Sequence, residues 1–362
     1  MATVKQRQGV LVDAVERYSE KQVELVDAAS RELLENPGVL SAHEPVLSVF
    51  RDAGAQLEDA GEYTRIRIPS KLIDQVLESA PSKIVLGARD PNNRLVLDAH
   101  EPRVRFGSGS ETNTWLKVDF DDEGNPEFTR EGGSVARLRE AAHLCEHLEH
   151  CDFFIRCVNI QDADVTDTNK DVNKYLASLN NITKHVQAGL TSLTALDDVV
   201  RMGQIIAGGE AAFAESPPLS FIACVIKSPL EYVPDTADKV IEISKRRVPL
   251  VISSCPLGGT TGPFGEVGMV AQINAELLAG VALNQLVAPG APVLYGSVPV
   301  RSRLDTLNDM YGAPEFNHYN MGCAQMARHY GLPCYSTAGV GDAETPGIQA
   351  TFEKLLTVST VP

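Results

Sequence analysis

The chain has 362 residues, 43% hydrophobic and 22% charged, enough apolar material for a large core, and no apolar run reaches the roughly 20 residues that cross a bilayer. Its 48 acidic residues outnumber 32 basic ones, for a net charge of −16, which repels a phosphate backbone or an anionic lipid surface, so neither nucleic acid nor membrane is expected as the main partner. The start, MATVKQRQGVLVDAVERYSEK, has no apolar stretch of signal-peptide length, and the seven cysteines lack CxxC spacing; a cytoplasmic protein with buried free thiols is expected.

Residues 1–82 carry mostly helical patterning, with Pro37-Gly38 breaking one helix from the next and Ser70 placed to cap KLIDQVLESA. They are expected to form an N-terminal helical extension. Residues 83–132 read as a strand-rich segment: KIVLGARD, RLVLDAH, RVRFGSG, TWLKVDF and PEFTREGG, the last two joined by an acidic turn containing Gly124 and Asn125. Asp119, Asp121, Glu123 and Gly124 imitate the start of a calcium loop, but Arg130 stands where a bidentate glutamate is needed. A hairpin turn is the better account. The helix that begins near Ser134 puts His143, His147 and His150 on one face, with Cys151 just beyond; beside Glu146 and Glu149 they read as solvated side chains rather than a metal site.

From 133 to 362 strand and helix alternate. The strands are FFIRCVNI from Phe153, ITKHVQAG from Ile182, LSFIACVI from Leu219, PLVISSCP from Pro249, PVLYGSV from Pro292 and PCYSTA from Pro333, each followed by a helical segment. Spacings of about 30 to 43 residues and near-continuous apolar strands predict parallel βα units. The expected fold is α/β, a TIM (β/α)8-type barrel with RVRFGSG as candidate first strand and its last strand missing.

Barrels of this kind place ligands at the carboxyl ends of their strands. Strand ends nominate Asn159, Lys184, His185, Cys255, Tyr295, Ser297, Asp342 and Glu344; the loops beyond add Gly258-Gly259-Thr260-Thr261-Gly262, Asp309, Tyr311, Glu315, His318 and Tyr319. A structural hydrogen bond explains any one of them as well as catalysis does, so only their convergence points to a site. The glycine-rich turn has a competing reading as a phosphate cradle, which makes a phosphate-binding barrel enzyme one alternative. It lacks the P-loop lysine and the GxGxxG pattern.

The most informative stretch is LPCYSTAGVGDAETPGIQATFEKLL, where a strand runs into glycines, an acidic pair and a helix. Extended to HYGLPCYSTAGVGDAETPGIQATFEKLLT, it resembles the same region of the trimethylamine methyltransferase superfamily. The likeness continues through SPLEYVPDTADKVIEISKRRVPLVISSCPLGGTTGP and NAELLAGVALNQLVAPGAPVLYGS, and more weakly through PGVLSAHEPVLSVFRDAGAQL and PSKIVLGARD.

The resemblance implies a methyltransferase that moves a methyl group from a quaternary or other methylated amine to the Co(I) of a corrinoid (cobalamin) held by a cognate partner protein. No cofactor is bound permanently, and no metal is assigned to the chain. On that reading Asp342, Glu315 and His318 are the catalytic candidates. The substrate-binding set is Tyr295, Ser297, Tyr311, Tyr319, Phe264, Lys184, His185, Val340, Glu344, Gly258 and Gly259. Aromatic faces and Glu315 would suit a cationic nitrogen, while Lys184, His185, His318 or the amides of the glycine-rich turn would receive a substrate carboxylate.

Members that act on trimethylamine carry pyrrolysine in the segment where Val340 falls. Valine implies the non-pyrrolysine, glycine betaine methyltransferase-like branch, because a quaternary ammonium has no lone pair for an electrophilic imine to engage. Family members normally continue past the position of Pro362, so the resemblance also implies a C-terminal truncation. An inactive remnant, or a split-enzyme subunit needing a separate C-terminal piece, is the alternative. A homo-oligomer is expected.

Overall fold

The computed structural model describes residues 6–109 and 111–360. Its backbone groups into two compact units, one of Met1–Leu11, Val85–Val96 and Arg103–Phe221, the other of Val12–Ile84, Leu97–Pro102 and Ile222–Pro362. The six strands expected from Phe153 onward are all present: β1 (Phe153–Ile155), β2 (His185–Ala188), β3 (Leu219–Ala223), β4 (Leu250–Ser254), β5 (Val293–Ser297) and β6 (Cys334–Ser336). The helices used below are α1 (Glu20–Glu35), α2 (Val135–His147), α3 (Lys170–Leu179), α4 (Glu266–Val287), α5 (Pro314–Tyr330) and α6 (Ile348–Thr360).

In the first unit β1, β2 and β3 lie parallel in chain order, with Phe153 opposite His185 and Val186 opposite Leu219. In the second, β4, β5 and β6 do the same, with Leu250 opposite Val293 and Tyr295 opposite Cys334. Parallel neighbours in chain order, joined through helices, are the pattern of part of a (β/α) barrel. The parallel strands formed by the described residues fall short of the eight of a complete one.

Two local expectations are corrected. The segment RVRFGSG does not run as a barrel strand: Arg103–Val104 pairs antiparallel with Val10–Leu11, and only Gly107 makes a parallel bridge to Phe153. Gly107 lies so close to the Phe153 ring that a Cβ there would come within 2.6 Å of it. The N-terminal region, read as mostly helical, also holds the antiparallel strands Val39–Ser41, Gln56–Ala60 and Tyr63–Arg67. Gly61, at φ +80°, opens the two-residue loop between the last two.

Helix α4 organises the second unit. It is 22 residues long and apolar enough to cross a membrane, yet Met269 to Gln285 are all buried within the protein. A helix enclosed on every side has no polar face, and each of its few polar side chains must find a partner. Asn274 donates to Ser30 Oγ of α1 at 2.9 Å and to Tyr330 Oη of α5 at 2.8 Å, and accepts from Tyr295 Oη of β5 at 2.8 Å. Asn284 donates to Ser244 Oγ at 2.7 Å. Gln285 donates to the Ala291 carbonyl at 2.9 Å and accepts from the Gly290 amide at 2.8 Å. These bonds fix which way the apolar cylinder is turned.

In the first unit a buried ion pair does similar work. Lys174 reaches Asp171 at 2.6 Å and the Gly189 carbonyl at 2.5 Å, while Asp171 accepts from the amides of Thr191 and Ser192, both at 2.8 Å, which ties down the loop after β2. Burial, helped by the neighbouring Arg156, lowers the Lys174 ammonium to about 8.

Two outcomes are expected. A Cβ on Gly280 would stand 2.4 Å from Ile252 Cγ2 of β4, so Gly280→Ala should cost about 1–3 kcal/mol of stability in denaturant unfolding, as overpacking does. His185 is fully buried, its Nδ1–H donating to the Gly87 carbonyl and its Nε2 accepting from Ser220 Oγ, both at 2.8 Å. Burial lowers its pKa from 6.5 to about 4. The folded state therefore binds fewer protons than the unfolded one, and stability present above pH 6.5 should fall by about 3 kcal/mol as the pH drops toward 4. His185→Gln should flatten that slope.

Candidate functional site

Alternation along the strands of the second unit decides which polar groups can meet a ligand. Ser254 of β4 hydrogen-bonds Glu276 of α4, Tyr295 of β5 bonds Asn274 of α4, and Ser336 of β6 donates to Asn320 of α5 at 2.8 Å. These residues face the helices. Ser297, two residues beyond Tyr295, is likewise buried, beside Cys323 of α5. The opposite faces carry Ser253 and Tyr335, and Cys255 follows β4 on that side.

The unit gathers six groups there, Cys224, Cys255, Asp309, Tyr311, Tyr335 and Asp342, linked by electrostatic interactions, with Glu276 acting from the helix side. Cys255 is exposed as a residue, but protein packed round its thiol pushes it up to about 12, with Cys224, Asp309 and Glu276 acting the same way. Burial raises Tyr311 to about 12, helped by Cys255, Asp309 and Asp342. Tyr335 is raised to about 12 by burial, then by Cys224. Asp309 is raised by burial, then by Asp342. Burial leads each shift, and a cation placed beside Asp309 and Asp342 would offset the like-charge repulsion that adds to it at Tyr311 and Asp309.

The loops that carry this cluster are clasped by carboxylates. Asp342 accepts from the amides of Tyr311 at 2.7 Å and Gly312 at 2.9 Å. Glu353 of α6 accepts from the amides of Asp342 at 2.7 Å and Ala343 at 3.1 Å, and from Gln349 Nε2 at 2.8 Å. A Cβ on Gly312 or on Gly341 would lie 2.6 Å from the Glu353 carboxyl group, so a larger residue at either would push that carboxyl from its present place. Asp342 thus has its oxygens committed to holding Tyr311 in place.

The glycine-rich turn does not offer the anion cradle that its composition allowed. Leu257 O accepts from the amides of Thr260 at 3.0 Å and Gly262 at 2.9 Å, and the Gly259 amide donates to Gly262 O at 2.9 Å. The turn consumes these donors itself. Gly258 is a packing position: Tyr319 Oη would be 2.8 Å from a Cβ there. Tyr319 is buried and donates to the Phe264 carbonyl at 3.4 Å, while the Phe264 ring, exposed to solvent, covers the Arg301 guanidinium at 3.6 Å.

The remaining nominated residues fall elsewhere. Lys184 and His185 lie at the amino-terminal end of β2, which corrects their expected position; the strand begins at His185, three residues later than the apolar pattern implied. Lys184 caps the end of α2, donating to Cys145 O at 2.6 Å and Leu148 O at 2.8 Å. Asn159 donates to Asn113 Oδ1 at 3.1 Å. Glu315 is exposed in the first turn of α5, and His318 Nδ1 stands 3.5 Å from Glu266. Val340 is half-buried, and Glu344 is exposed. Helix α2 ends at His147, so His150 does not continue the helical face of His143 and His147. Among the described residues no group of three His, Cys, Asp or Glu could hold a metal ion. Asp121 accepts from the amides of Glu123 at 2.9 Å and Asn125 at 2.7 Å, a hairpin turn rather than a calcium loop.

Sequence reasoning missed Glu276 and Arg301. Glu276 is completely buried on α4, where burial raises its pKa; a lone acid inside the apolar run NAELLAG was the available signal. Arg301 sits in a short strand where it pairs with Met310, whereas Asp309 pairs with Ser302, so Arg301 faces away from the cluster. Nothing in its local sequence marked it.

Residues 4–361 match a family model described as trimethylamine methyltransferase (MTTB). The chain is 29% identical over 344 residues to trimethylamine methyltransferase MttB of Desulfitobacterium hafniense (strain DSM 10664 / DCB-2), covering 94% of this chain and 66% of that protein. It is 26% identical over 350 residues to glycine betaine methyltransferase of Desulfitobacterium hafniense (strain Y51), covering 97% and 70%, and 27% identical over 346 residues to trimethylamine methyltransferase MttB of Methanosarcina barkeri, covering 94% and 67%. The chain thus spans about two thirds of the length of these relatives.

The clasp can be tested on its own. Glu353→Ala should raise native-state hydrogen exchange at the Asp342 and Ala343 amides by about fivefold, the effect of losing a partly exposed charged acceptor worth about 1 kcal/mol. Unchanged exchange would mean that Glu353 does not hold the loop.

Proposed function

The chain belongs to the trimethylamine methyltransferase family, and on that premise we propose that it transfers a methyl group from a quaternary ammonium compound to the cobalt of a corrinoid carried by a separate protein. The observation that carries this reading is the cluster at the carboxyl ends of the second unit's strands, where Tyr311 stands with Asp309, Asp342 and Cys255, and Cys224 links Cys255 to Tyr335. Aromatic faces and carboxylates favour a cation that cannot donate hydrogen bonds.

The two tyrosines and Cys255, whose pKa values are all raised to about 12, stay protonated at neutral pH, so the aspartates supply the negative charge. Asp309 and Asp342 are exposed, which leaves the cluster open on a side where a bulky methyl acceptor can approach. When its carrier is docked, the corrinoid supplies a reduced cobalt nucleophile. The chain's own task is placement: rings and carboxylates hold the ammonium, and the Asp342 and Glu353 clasp keeps Tyr311 still while a methyl points outward. The departing tertiary amine is neutral, so no general acid is required. Val340 in the loop after β6 fits a substrate that needs no electrophilic imine.

Anaerobic incubation with Co(I) cobalamin and, in turn, glycine betaine, carnitine, proline betaine and trimethylamine tests the proposal, with methylcobalamin followed by absorbance. A quaternary amine should react and trimethylamine should not. Reaction of trimethylamine alone would contradict the proposal.

A further inference from the structure

We propose that Glu276 is the specificity-determining counter-charge of the ammonium site, a buried carboxylate that makes the cluster prefer a permanently charged nitrogen over a neutral group of the same shape. The inference rests on the reading that this cluster takes a methylated ammonium, and it goes beyond it by assigning the cation preference to a residue that does not touch the ligand.

Glu276 lies on α4 with no exposed surface. Its oxygens accept from Ser228 Oγ at 2.7 Å, Gln272 Nε2 at 2.9 Å, the Leu230 amide at 3.3 Å and Ser254 Oγ. All four donors are neutral. Burial raises its pKa, and these four hydrogen bonds act the other way, favouring the ionised form without cancelling its charge; among the described residues it forms no ion pair with a lysine, arginine or histidine. A bare charge inside an apolar helix is costly, and a leucine would fill that place more cheaply if packing were its only task.

The position relates Glu276 to the cluster. Ser254, one of its donors, immediately precedes Cys255, and Glu276 is among the anions that act on the Cys255 thiol. Gln272, another donor, also holds the Thr261 carbonyl at 2.9 Å, so the same group anchors the turn after β4. A buried charge is little screened by solvent, so its field reaches a neighbouring cation through protein. Glu276 therefore acts as a positioning and field-setting residue, and its effect should show only with charged ligands.

The test compares choline with its neutral isostere, in which carbon replaces the quaternary nitrogen, by calorimetric titration of the whole chain. In the wild type, choline should bind at least about tenfold more tightly than the isostere; in Glu276→Gln, choline affinity should fall by about tenfold while the isostere changes less than about twofold, because only one ligand feels the lost charge. The serine hydroxyls can reverse to accept from the new amide, which favours folding of the variant. Glu276→Asp, which keeps the charge, should retain the wild-type ratio. Equal losses for both ligands, or no loss for either, would overturn the assignment while leaving the ammonium site intact. A wild-type chain that binds choline no better than the isostere overturns the assignment even if neither variant folds. A wild-type chain that binds neither choline nor any methylated amine removes the function proposed above, and this inference with it.

Discussion

Burial of an apolar helix on every side is the constraint from which the second unit follows. Met269 to Gln285 are all buried, so every neighbour of α4 must fit its surface and every polar side chain on it must be answered. Gly280 lets β4 come close enough for Ile252 to pack. Asn274 joins α1, α5 and β5 through three hydrogen bonds. Glu276 and Gln272 reach the loops at the strand ends. The helix that makes the core thus also sets the geometry of the groups above it.

Those groups are held by backbone-directed carboxylates rather than by one another. Asp342 grips the Tyr311 and Gly312 amides, and Glu353 grips the loop bearing Asp342. Such bonds engage backbone amides rather than the side chains of the cluster, and the Tyr311 ring packs against Phe316 with centroids 5.8 Å apart. A site for a cation with no hydrogen-bond donors gains most from this arrangement, since it needs faces and field rather than directional acceptors.

Much of this was legible in the residues. The six apolar strand runs and their spacing gave the parallel βα repeat, and the region from Pro333 onward carried the family resemblance. Less was legible where burial pattern cannot reveal direction. Tyr295 and Ser297 stand near a strand end as expected, but period-two alternation turns them toward α4 and α5. Lys184 and His185 were misplaced because ITKHVQAG is extended over more residues than pair, and only the hydrogen-bond ladder sets where a strand starts. Asp342 was nominated for chemistry, yet both its oxygens accept loop amides, a bond between segments 31 residues apart that no local pattern encodes. Glu276 was hidden by its surroundings: a glutamate within an apolar helix reads as a surface residue until the helix is seen to be enclosed.

The central claim is that a methylated ammonium rests against Tyr311 and Tyr335. Nuclear Overhauser transfer from the methyl protons of bound tetramethylammonium tests it most directly. The account predicts contacts to the ring protons of both tyrosines, lost from each ring when that residue is changed to leucine. Saturable binding without contact to either ring would place the cation elsewhere and contradict the account.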